Sequence, residues 1–375
     1  MKRFNTHVIM VSGQSTPNVL PVMDKAIRPE TVILCATGDM RENAGILERY
    51  FSRHQIKTRQ FDLGSAYDFC ALQEKFLTLA LELMSAGSEI GVNLTGGTKL
   101  MTIAAQKAFL SDFACFYVNP ERNSIQCISQ DGAPEYPIAG QLKIGDFFEI
   151  HGYRVIASEK KTVSENTEQL CRKLLGRYRE FGGTLGTLNY LAAEAKGKES
   201  LIGNGNIPED ADKLFLLFQE HGAINYFDDR KVEFRDEDGR RFCQGFWLED
   251  WVGVALRELN RKVPLQDYAS SITIESVGGV KNEIDAAFLY NNRLYLIECK
   301  TADLEEDGKS APPLYKLDSL HLRPGIFTEM VLVSYSPLDS HGKRRADDLR
   351  IRVVEKGDLL GLASHLENRL KKGER

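Results

Sequence analysis

The first 130 residues alternate short apolar runs with amphipathic stretches, and this alternation constrains the fold more than any other feature of the sequence. The apolar runs have the length of buried strands, and the stretches between them carry apolar residues at helical spacing. Strands that alternate with helices predict a parallel sheet covered on both faces, so we expect a Rossmann-like α/β domain. The predicted strands are 7–11, 31–36, 58–61, 90–95 and 115–118, and the predicted helices are 16–27, 41–54, 67–86 and 98–111.

The end of this region predicts an antiparallel hairpin at the edge of the sheet. A polar segment at 119–123 has the composition of a turn, and the residues after it, 124–129, have the composition of a strand. We therefore expect the fifth and sixth strands to pair antiparallel.

The middle of the chain has a different pattern, in which helices come first and a hairpin follows. Helices followed by a hairpin are typical of a small winged-helix unit, but they also suit a helical linker between two larger domains. Both interpretations stay open at this point. The predicted helices are 164–181, 184–195 and 210–221, with Gly182 and Gly183 between the first two, and the strands are 223–227 and 231–235.

The last part of the chain predicts a helix, three strands, a helix, a strand and a closing helix. The chain has 375 residues, which is long enough for two or three domains. We therefore predict three parts: a Rossmann-like domain at 1–150, a helical or winged-helix-like linker at 151–240 and a third α/β domain at 241–375.

Composition excludes several classes of protein. No stretch approaches the roughly 20 apolar residues of a membrane-spanning helix, and the first residues lack the apolar core of a signal peptide, so we expect a cytoplasmic protein without a membrane partner. The seven Cys and seven His residues show neither CxxC nor HExxH spacing. A net charge of −5 argues against a sequence-independent DNA coat but leaves a nuclease possible.

One predicted hairpin in the third part gathers three charged residues. Asn291 and Asn292 tolerate positive φ and suit a tight turn between two β-rich runs. Alternation along the second strand puts Glu298 and Lys300 on one face. Pairing across the hairpin can bring Asp285, on the first strand, to the same end of the sheet.

These residue types predict metal-assisted hydrolysis of phosphodiesters. Mg²⁺ and Mn²⁺ prefer oxygen ligands and usually take one or two carboxylates, so Asp285 and Glu298 would hold the metal. The Lys300 ammonium would orient the attacking water or stabilise charge on the phosphate. The alternative interpretation is an inert charged edge.

Two loops in the first part predict a site for an anionic ligand. Each follows a strand of the predicted sheet, at 12–16 and 93–99, and ligands of open parallel sheets bind beyond the carboxyl ends of strands. The second loop contains adjacent glycines and opens a helix whose free amides suit an anion. It has neither Walker A nor GxGxxG spacing. An ordinary strand-to-helix turn with glycines for packing is the alternative.

The hairpin pattern, Asp285-x(12)-Glu298-x-Lys300, resembles the PD-(D/E)xK nuclease superfamily. Ile284 stands where that superfamily often has proline. The resemblance implies that Glu249, in the sequence Trp-Leu-Glu before the hairpin, is a further catalytic residue and an outer metal or water ligand. It also makes Lys316 a candidate phosphate contact.

The loop Asn-Leu-Thr-Gly-Gly-Thr-Lys-Leu-Met at 93–101, with the Ser-, Gln- and Thr-containing loop at 12–16, is similar to a CARF domain. Together with the hairpin and with residues 314–320, it resembles CRISPR ancillary nucleases that join one CARF domain to one restriction-endonuclease-like domain. This resemblance implies a homodimer that binds a cyclic oligoadenylate, usually cyclic tetra-adenylate from type III CRISPR complexes, and then cleaves DNA or RNA, with single strands expected. The implied ligand-binding residues are Ser12, Gly13, Gln14, Ser15, Thr16, Thr37, Gly38, Asn93, Thr95, Gly96, Gly97, Thr98 and Lys99.

Two rival functions stay open at the level of the sequence. One is a ligand-responsive regulator that binds DNA through a winged helix in the middle section. The other is an enzyme whose CARF domain degrades the cyclic ligand itself.

Overall fold

A computed structural model describes residues 3–87, 89–120, 122–128, 134–305, 308–321 and 328–373. Within these ranges the chain forms sheets of seven, three and six strands with helices packed on their faces. The α/β class predicted from the alternation pattern is confirmed. None of the helices in these ranges is both long enough and apolar enough to cross a membrane.

The first sheet follows the predicted alternation of strands and helices. The predicted helix 16–27 is shorter than expected, because the backbone becomes extended at Asp24. Glu121 of the expected turn and Ser129 of the expected strand lie outside the described residues. The elements are β1 (Thr6–Met10), α1 (Thr16–Met23), β2 (Thr31–Thr37), α2 (Arg41–Arg53), β3 (Lys57–Gly64), α3 (Phe69–Ser85), β4 (Ile90–Asn93), α4 (Lys99–Phe109), β5 (Ala114–Asn119), β6 (Ser124–Ile128), β7 (Glu135–Pro137) and α5 (Ile144–Glu149).

The strand order of this sheet creates a crevice at one edge. The order is β3-β2-β1-β4-β5-β6-β7, and β1 pairs in parallel with both β2 and β4. The chain therefore winds outward to β3 and returns on the other side of β1. This switch brings the carboxyl ends of β1, β2 and β4 together, where open α/β sheets bind ligands. β5 and β6 form the predicted antiparallel hairpin, and β7 adds an edge strand that the sequence did not predict.

The middle section begins with a strand of another sheet. Residues 151–240 were expected to form a separate linker, but β8 (Tyr153–Glu159) joins the edge of the six-stranded sheet. Its side chains are largely exposed, as is typical of an edge strand, so it lacks the apolar pattern that would have identified it. The rest of the section forms α6 (Glu165–Gly176), α7 (Tyr178–Glu194), β9 (Ile202–Asn204), α8 (Asp212–His221), β10 (Ile224–Phe227) and β11 (Lys231–Phe234).

The expected break at Gly182 and Gly183 is wrong. Both glycines lie inside α7, and the break between α6 and α7 falls at Arg177. Glycine in a helix costs about 1 kcal/mol relative to alanine, but α7 buries Phe181 and Leu185 in the core. Tertiary packing therefore outweighs the local preference for a break.

The middle section has the topology of a winged-helix unit. Helix α7, strand β9, a short 3-10 turn at Glu209–Ala211, helix α8 and the hairpin β10–β11 follow one another. Strand β11 lies between β9 and β10 in the three-stranded sheet.

The six-stranded sheet and the helices beside it contain the predicted elements of the third part of the chain. The elements are α9 (Glu237–Arg241), α10 (Trp247–Lys262), β12 (Asp267–Ser276), β13 (Lys281–Tyr290), β14 (Arg293–Lys300), α11 (Ala311–His321), β15 (Thr328–Ser334), α12 (Ser340–Asp348), β16 (Ile351–Glu355) and α13 (Leu362–Gly373). The strand order is β16-β15-β14-β13-β12-β8, and the sequence did not predict α12 and β16.

The β13–β14 hairpin is buried on both faces. Its turn is formed by Asn291 and Asn292 at φ of 48° and 58°, as predicted. Phe288 on one face packs into a core shared with α10 and α13, while Leu294 on the other face packs into a core shared with α5 and the first sheet. The apolar core is therefore continuous between the first and third parts of the chain.

Candidate functional site

Two carboxylates lie opposite each other where the hairpin pairing ends. The last paired residues are Ala286 and Ile297. Asp285 and Glu298 come next on their strands, and directly opposed side chains share one face of a sheet. Asp285 Oδ2 accepts a hydrogen bond of 2.6 Å from the Cys299 backbone N–H. This contact fixes the Asp285 carboxylate at the end of the strand ladder.

Both oxygens of Glu298 accept hydrogen bonds from ammonium groups. Its side chain is 1% exposed, and its two oxygens lie 2.7 Å from Lys300 Nζ and 2.6 Å from Lys316 Nζ. A buried carboxylate requires such partners, because burial of an unpaired charge is costly. The structure thus brings Lys300 to Glu298 as predicted. Lys316, for which the sequence suggested a phosphate contact, reaches the same carboxylate.

Helix α10 places Glu249 at the same end of the sheet. Trp247 and Trp251 are buried and anchor the first turns of the helix, and the Trp251 indole N–H donates to a backbone carbonyl near the C-terminus. Lys161, which follows β8, lies 3.4 Å from Glu249 Oε2 and 3.1 Å from Asp250 Oδ1. Sequence reasoning missed Lys161 and Asp250, because no motif marks either residue.

Burial and repulsion shift the ionisation of this cluster. Burial, reinforced by the Asp285 charge, raises the pKa of Glu249 to about 7, although Lys161 opposes the shift. Burial and the charge of Glu298 also raise the pKa of Asp285. Burial alone would lower the pKa of Lys300, but the attraction of Glu298 and Asp285 raises it above the ordinary value. Carboxylates that repel one another in this way are suited to a bound cation.

The cluster opens into a polar cleft of about 450 Å³. Across the described ranges, no group of three or more His, Cys, Asp or Glu side chains is arranged to hold a metal ion. Mg²⁺ and Mn²⁺ usually take one or two carboxylates, with water and phosphate oxygens completing the shell. The Asp285–Glu298 pair fits this requirement. A role for Glu249 at the metal stays a prediction.

Asn93 connects the two predicted ligand loops of the first sheet. It is fully buried, and its Nδ2 donates to the Pro17 carbonyl at 3.0 Å, while its Oδ1 accepts from Thr95 Oγ1 at 2.6 Å. Thr95 Oγ1 also accepts from the Val118 backbone N–H at 2.7 Å. Asn93 therefore ties the second loop to the start of α1, and Thr95 ties it to β5.

The two glycines of the second loop have different roles. A Cβ at Gly96 would lie 2.1 Å from the Met10 carbonyl oxygen, so only glycine allows this approach to β1. Gly97 has a φ of 81°. Thr98 caps helix α4 through a hydrogen bond from the Met101 backbone N–H. Lys99, the first residue of the helix, is exposed at the mouth of the crevice.

The first loop brings two hydroxyl groups to the same edge. Ser15 and Thr16 are fully buried at the start of α1, and their hydroxyl oxygens have no hydrogen-bond partner among the described residues. Buried hydroxyls normally have a partner, so these are candidates for ligand contacts. The other predicted residues of this edge are Ser12 and Gln14, which are half-buried, Thr37, which is buried, and Gly13 and Gly38, which are exposed.

Comparison with family models identifies both halves of the chain. Residues 6–147 match the Card1 CARF domain, and residues 236–372 match the Card1-like endonuclease domain. The chain therefore joins a Card1 CARF domain to a Card1-like endonuclease domain. The two predicted ligand loops therefore lie in a CARF domain and the carboxylate cleft lies in an endonuclease domain, which confirms the resemblance inferred from the two motifs. No curated protein sequence matches this Card1-like chain.

Three solved structures share the fold. Protein VC1899 from Vibrio cholerae is 25% identical, with a TM-score of 0.86 over 98% of both chains. Can2 from Sulfobacillus thermosulfidooxidans, solved in complex with cyclic tetra-adenylate, is 24% identical, with a TM-score of 0.81 over 99% of this chain and 97% of Can2. A type III CRISPR defence DNA nuclease activated by cyclic oligoadenylate is 15% identical, with a TM-score of 0.55 over 91% of this chain and 48% of that chain.

Proposed function

We propose that this chain is a divalent-metal-dependent nuclease of type III CRISPR defence that a cyclic oligoadenylate activates. The observation that carries the proposal is the meeting of Asp285, Glu298 and Lys300 at the end of one hairpin, where Asp285 and Lys300 line the cleft of an endonuclease domain. The CARF domain provides a second, separate crevice for the activator. The proposed substrates are DNA, RNA or both.

Four residues have a proposed part in hydrolysis, namely Asp285, Glu298, Lys300 and Glu249. Asp285 and Glu298 would hold Mg²⁺ or Mn²⁺, which supplies polarisation of the scissile phosphate and a water of lowered pKa. The Lys300 ammonium stabilises the negative charge that develops on the phosphate oxygens. Glu249 has a pKa near 7, so its carboxylate can accept a proton from the attacking water at neutral pH.

The proposed activator is cyclic tetra-adenylate, the ligand of the Can2 complex. Its phosphates would approach the free amides at the start of α4 and the ammonium of Lys99. The unpartnered hydroxyls of Ser15 and Thr16 support contacts from the neighbouring loop. Binding must favour the active arrangement over the inactive one, because a ligand shifts an equilibrium only through its different affinities for the two states.

A homodimer is part of the proposal, because a ring with two-fold symmetry suits two copies of one crevice. Helix α3 exposes Leu77, Leu81 and Met84 at a spacing that puts them on one face, and the neighbouring α4 exposes Ile103. Helix α4 also begins at the ligand loop, so this apolar face continues from the crevice. We propose it as the surface that contacts the second copy, and Leu81→Asp should convert a dimer to a monomer in analytical ultracentrifugation.

The nuclease assignment can be tested with purified full-length protein. With Mn²⁺ we expect cleavage of DNA or RNA that depends on cyclic tetra-adenylate, and Glu298→Gln or Lys300→Ala should reduce the rate by roughly 100-fold or more. Calorimetry should show unchanged binding of the activator by both variants. Single- and double-stranded DNA and RNA that all stay intact would contradict the assignment. Mass analysis of the activator in the same reactions tests whether the CARF domain degrades it.

A DNA-binding regulator is not favoured, although the middle section has winged-helix topology. Helix α8 would enter the DNA groove, and phosphate contacts require Lys or Arg there. The side chain of Lys213 on this helix lies 3.2 Å from Glu180. The other exposed charges of α8 and the turn before it are acidic, namely Glu209, Asp210, Asp212 and Glu220.

We also propose revised domain boundaries, which follow from the pairing of the strands. The CARF domain keeps its expected limits near residues 1 and 150. The endonuclease domain includes β8 together with the expected 241–375, because β8 pairs with β12. The winged-helix unit is then an insert between two parts of the endonuclease domain.

A further inference from the structure

The cleft contains a guanidinium and an aromatic ring that the proposed hydrolysis does not use. Arg241 and Phe246 both line it, and the Arg241 guanidinium carbon lies 4.4 Å from the centre of the Phe246 ring. Arg241 is exposed and Phe246 is half-buried. We refer to these two residues as the platform pair.

The backbone fixes the platform pair next to the end of β14. The backbone kinks between α9 and α10, within Phe242–Phe246, where Gly245 has a non-helical φ of 121°. A Cβ at Gly245 would lie 2.1 Å from Thr301 Oγ1, and Thr301 directly follows Lys300. Thr301 Oγ1 is also held at 3.1 Å by Asn189 Nδ2 of the winged-helix unit. The kink therefore holds the platform pair next to the end of the strand that carries Glu298 and Lys300.

We propose that Arg241 and Phe246 form a stacking platform for one unpaired base of the substrate, beside the scissile phosphate. Aromatic rings and arginine guanidinium planes are the groups on which proteins stack unpaired bases, and such stacking tolerates any base. A base inside a duplex is already stacked and paired, so it cannot reach the ring. The platform pair therefore makes the cleft select an unpaired segment. The inference rests on the proposed nuclease function and assigns residues to the choice of substrate.

The test compares two phenylalanines of the same kinked segment. Phe246→Leu keeps an apolar side chain and removes the aromatic face. Phe242→Leu is the matched control, because the Phe242 ring stacks on His221 at 4.9 Å instead of lining the cleft. Fluorescence anisotropy would measure binding of a short labelled single-stranded DNA in Ca²⁺ and cyclic tetra-adenylate. A matched set of DNAs has the same sequence, and each strand carries one abasic site at a different position.

We expect Phe246→Leu to weaken binding of the intact single strand roughly 5- to 100-fold, with Phe242→Leu and duplex binding little changed. One abasic position should weaken binding by the wild type to a similar extent and should have no added effect in Phe246→Leu. Phe246→Trp should restore affinity. Equal abasic effects in wild type and Phe246→Leu would overturn the platform. Absence of any cleavage with Mn²⁺ would instead contradict the proposed function, and binding would still report on the platform.

Discussion

Asn292, at the tip of the β13–β14 hairpin, is hydrogen-bonded to Asn123 of the CARF domain, with 2.9 Å between Nδ2 and Oδ1. The same amide donates to the Gly140 carbonyl at 3.0 Å. Its oxygen accepts from the Leu142 backbone N–H at 3.3 Å and from Gln266 Nε2 at 2.8 Å. The hairpin that carries the proposed catalytic residues at one end is thus attached to the CARF domain at the other.

Asn292→Gly tests this attachment. Glycine keeps the positive φ of the turn and removes the amide. The buried Gly140 carbonyl and Leu142 N–H then lose this partner. We expect a loss of roughly 2–4 kcal/mol of unfolding free energy in urea denaturation, together with a smaller ratio of cleavage rates with and without cyclic tetra-adenylate. Asn291→Gly is the control, because Asn291 is exposed in the same turn. Equal effects of the two changes would contradict the prediction.

Lys161 is predicted to position Glu249 and Asp250. Its side chain is 14% exposed, so Lys161→Ala would leave two half-buried carboxylates without their cation. Because removal of one partner leaves the other charges of a partly buried ion pair uncompensated, we expect cleavage to fall roughly 10-fold or more and the Mn²⁺ dependence to change, with recovery in Lys161→Arg. Lys160→Ala is the control, because Lys160 is 62% exposed and contacts Asp267. If the Mn²⁺ titration of Lys161→Ala matched that of the wild type, the positioning role would be excluded.

The raised pKa of Glu249 predicts a pH dependence of folding stability. A carboxyl whose pKa is about 7 when folded and 4.5 in its ordinary state binds a proton more tightly in the folded chain. Its contribution to stability therefore falls as the pH rises from about 4.5 to about 7. The Glu249→Gln side chain stays neutral at every pH in this range. The unfolding free energy of the variant relative to that of the wild type should therefore increase by about 1–3 kcal/mol between pH 5 and pH 8. Parallel pH profiles of denaturation for the two proteins would show that Glu249 ionises normally.

The close approach of the second ligand loop to β1 predicts different outcomes at two glycines. Gly96→Ala places a methyl group against the Met10 carbonyl, so the backbone has to move, and we expect a loss of roughly 1–3 kcal/mol in stability and weaker binding of cyclic tetra-adenylate. Gly13→Ala, in the facing loop, meets no atom within 4 Å. Its stability should stay within about 0.5 kcal/mol of wild type. Thermal denaturation of both variants checks the prediction.

The sequence predicted features that depend on neighbouring residues. The alternation of strands and helices, the Asn291–Asn292 turn and the shared face of Glu298 and Lys300 all follow from local rules of geometry. The approach of Asp285 to the end of the sheet that carries Glu298 also followed, because a two-residue turn fixes the register of a hairpin. The position of the two proposed ligand loops at one edge of the sheet was predictable, because parallel strands bring their carboxyl ends to that edge.

Features that depend on distant residues were missed. Lys161 has no motif, and only the fold brings it to Glu249. Strand β8 is exposed along most of its length, so it lacks the apolar alternation by which strands are recognised. The helix through Gly182 and Gly183 was missed because burial of its apolar face overrides a local preference. In each case the deciding energy comes from tertiary packing.

The edge position of β8 limits where the chain can be cut to give a stable endonuclease fragment, whether by cloning or by gene recombination. A recombinant fragment that starts at residue 241 would lack β8 and leave β12 with a row of unpaired backbone groups, a surface that recruits other chains and aggregates. A fragment that keeps β8 must also keep the winged-helix insert or replace it with a spacer. The endonuclease domain is therefore not one contiguous segment that a single recombination event could transfer from one sensor domain to another.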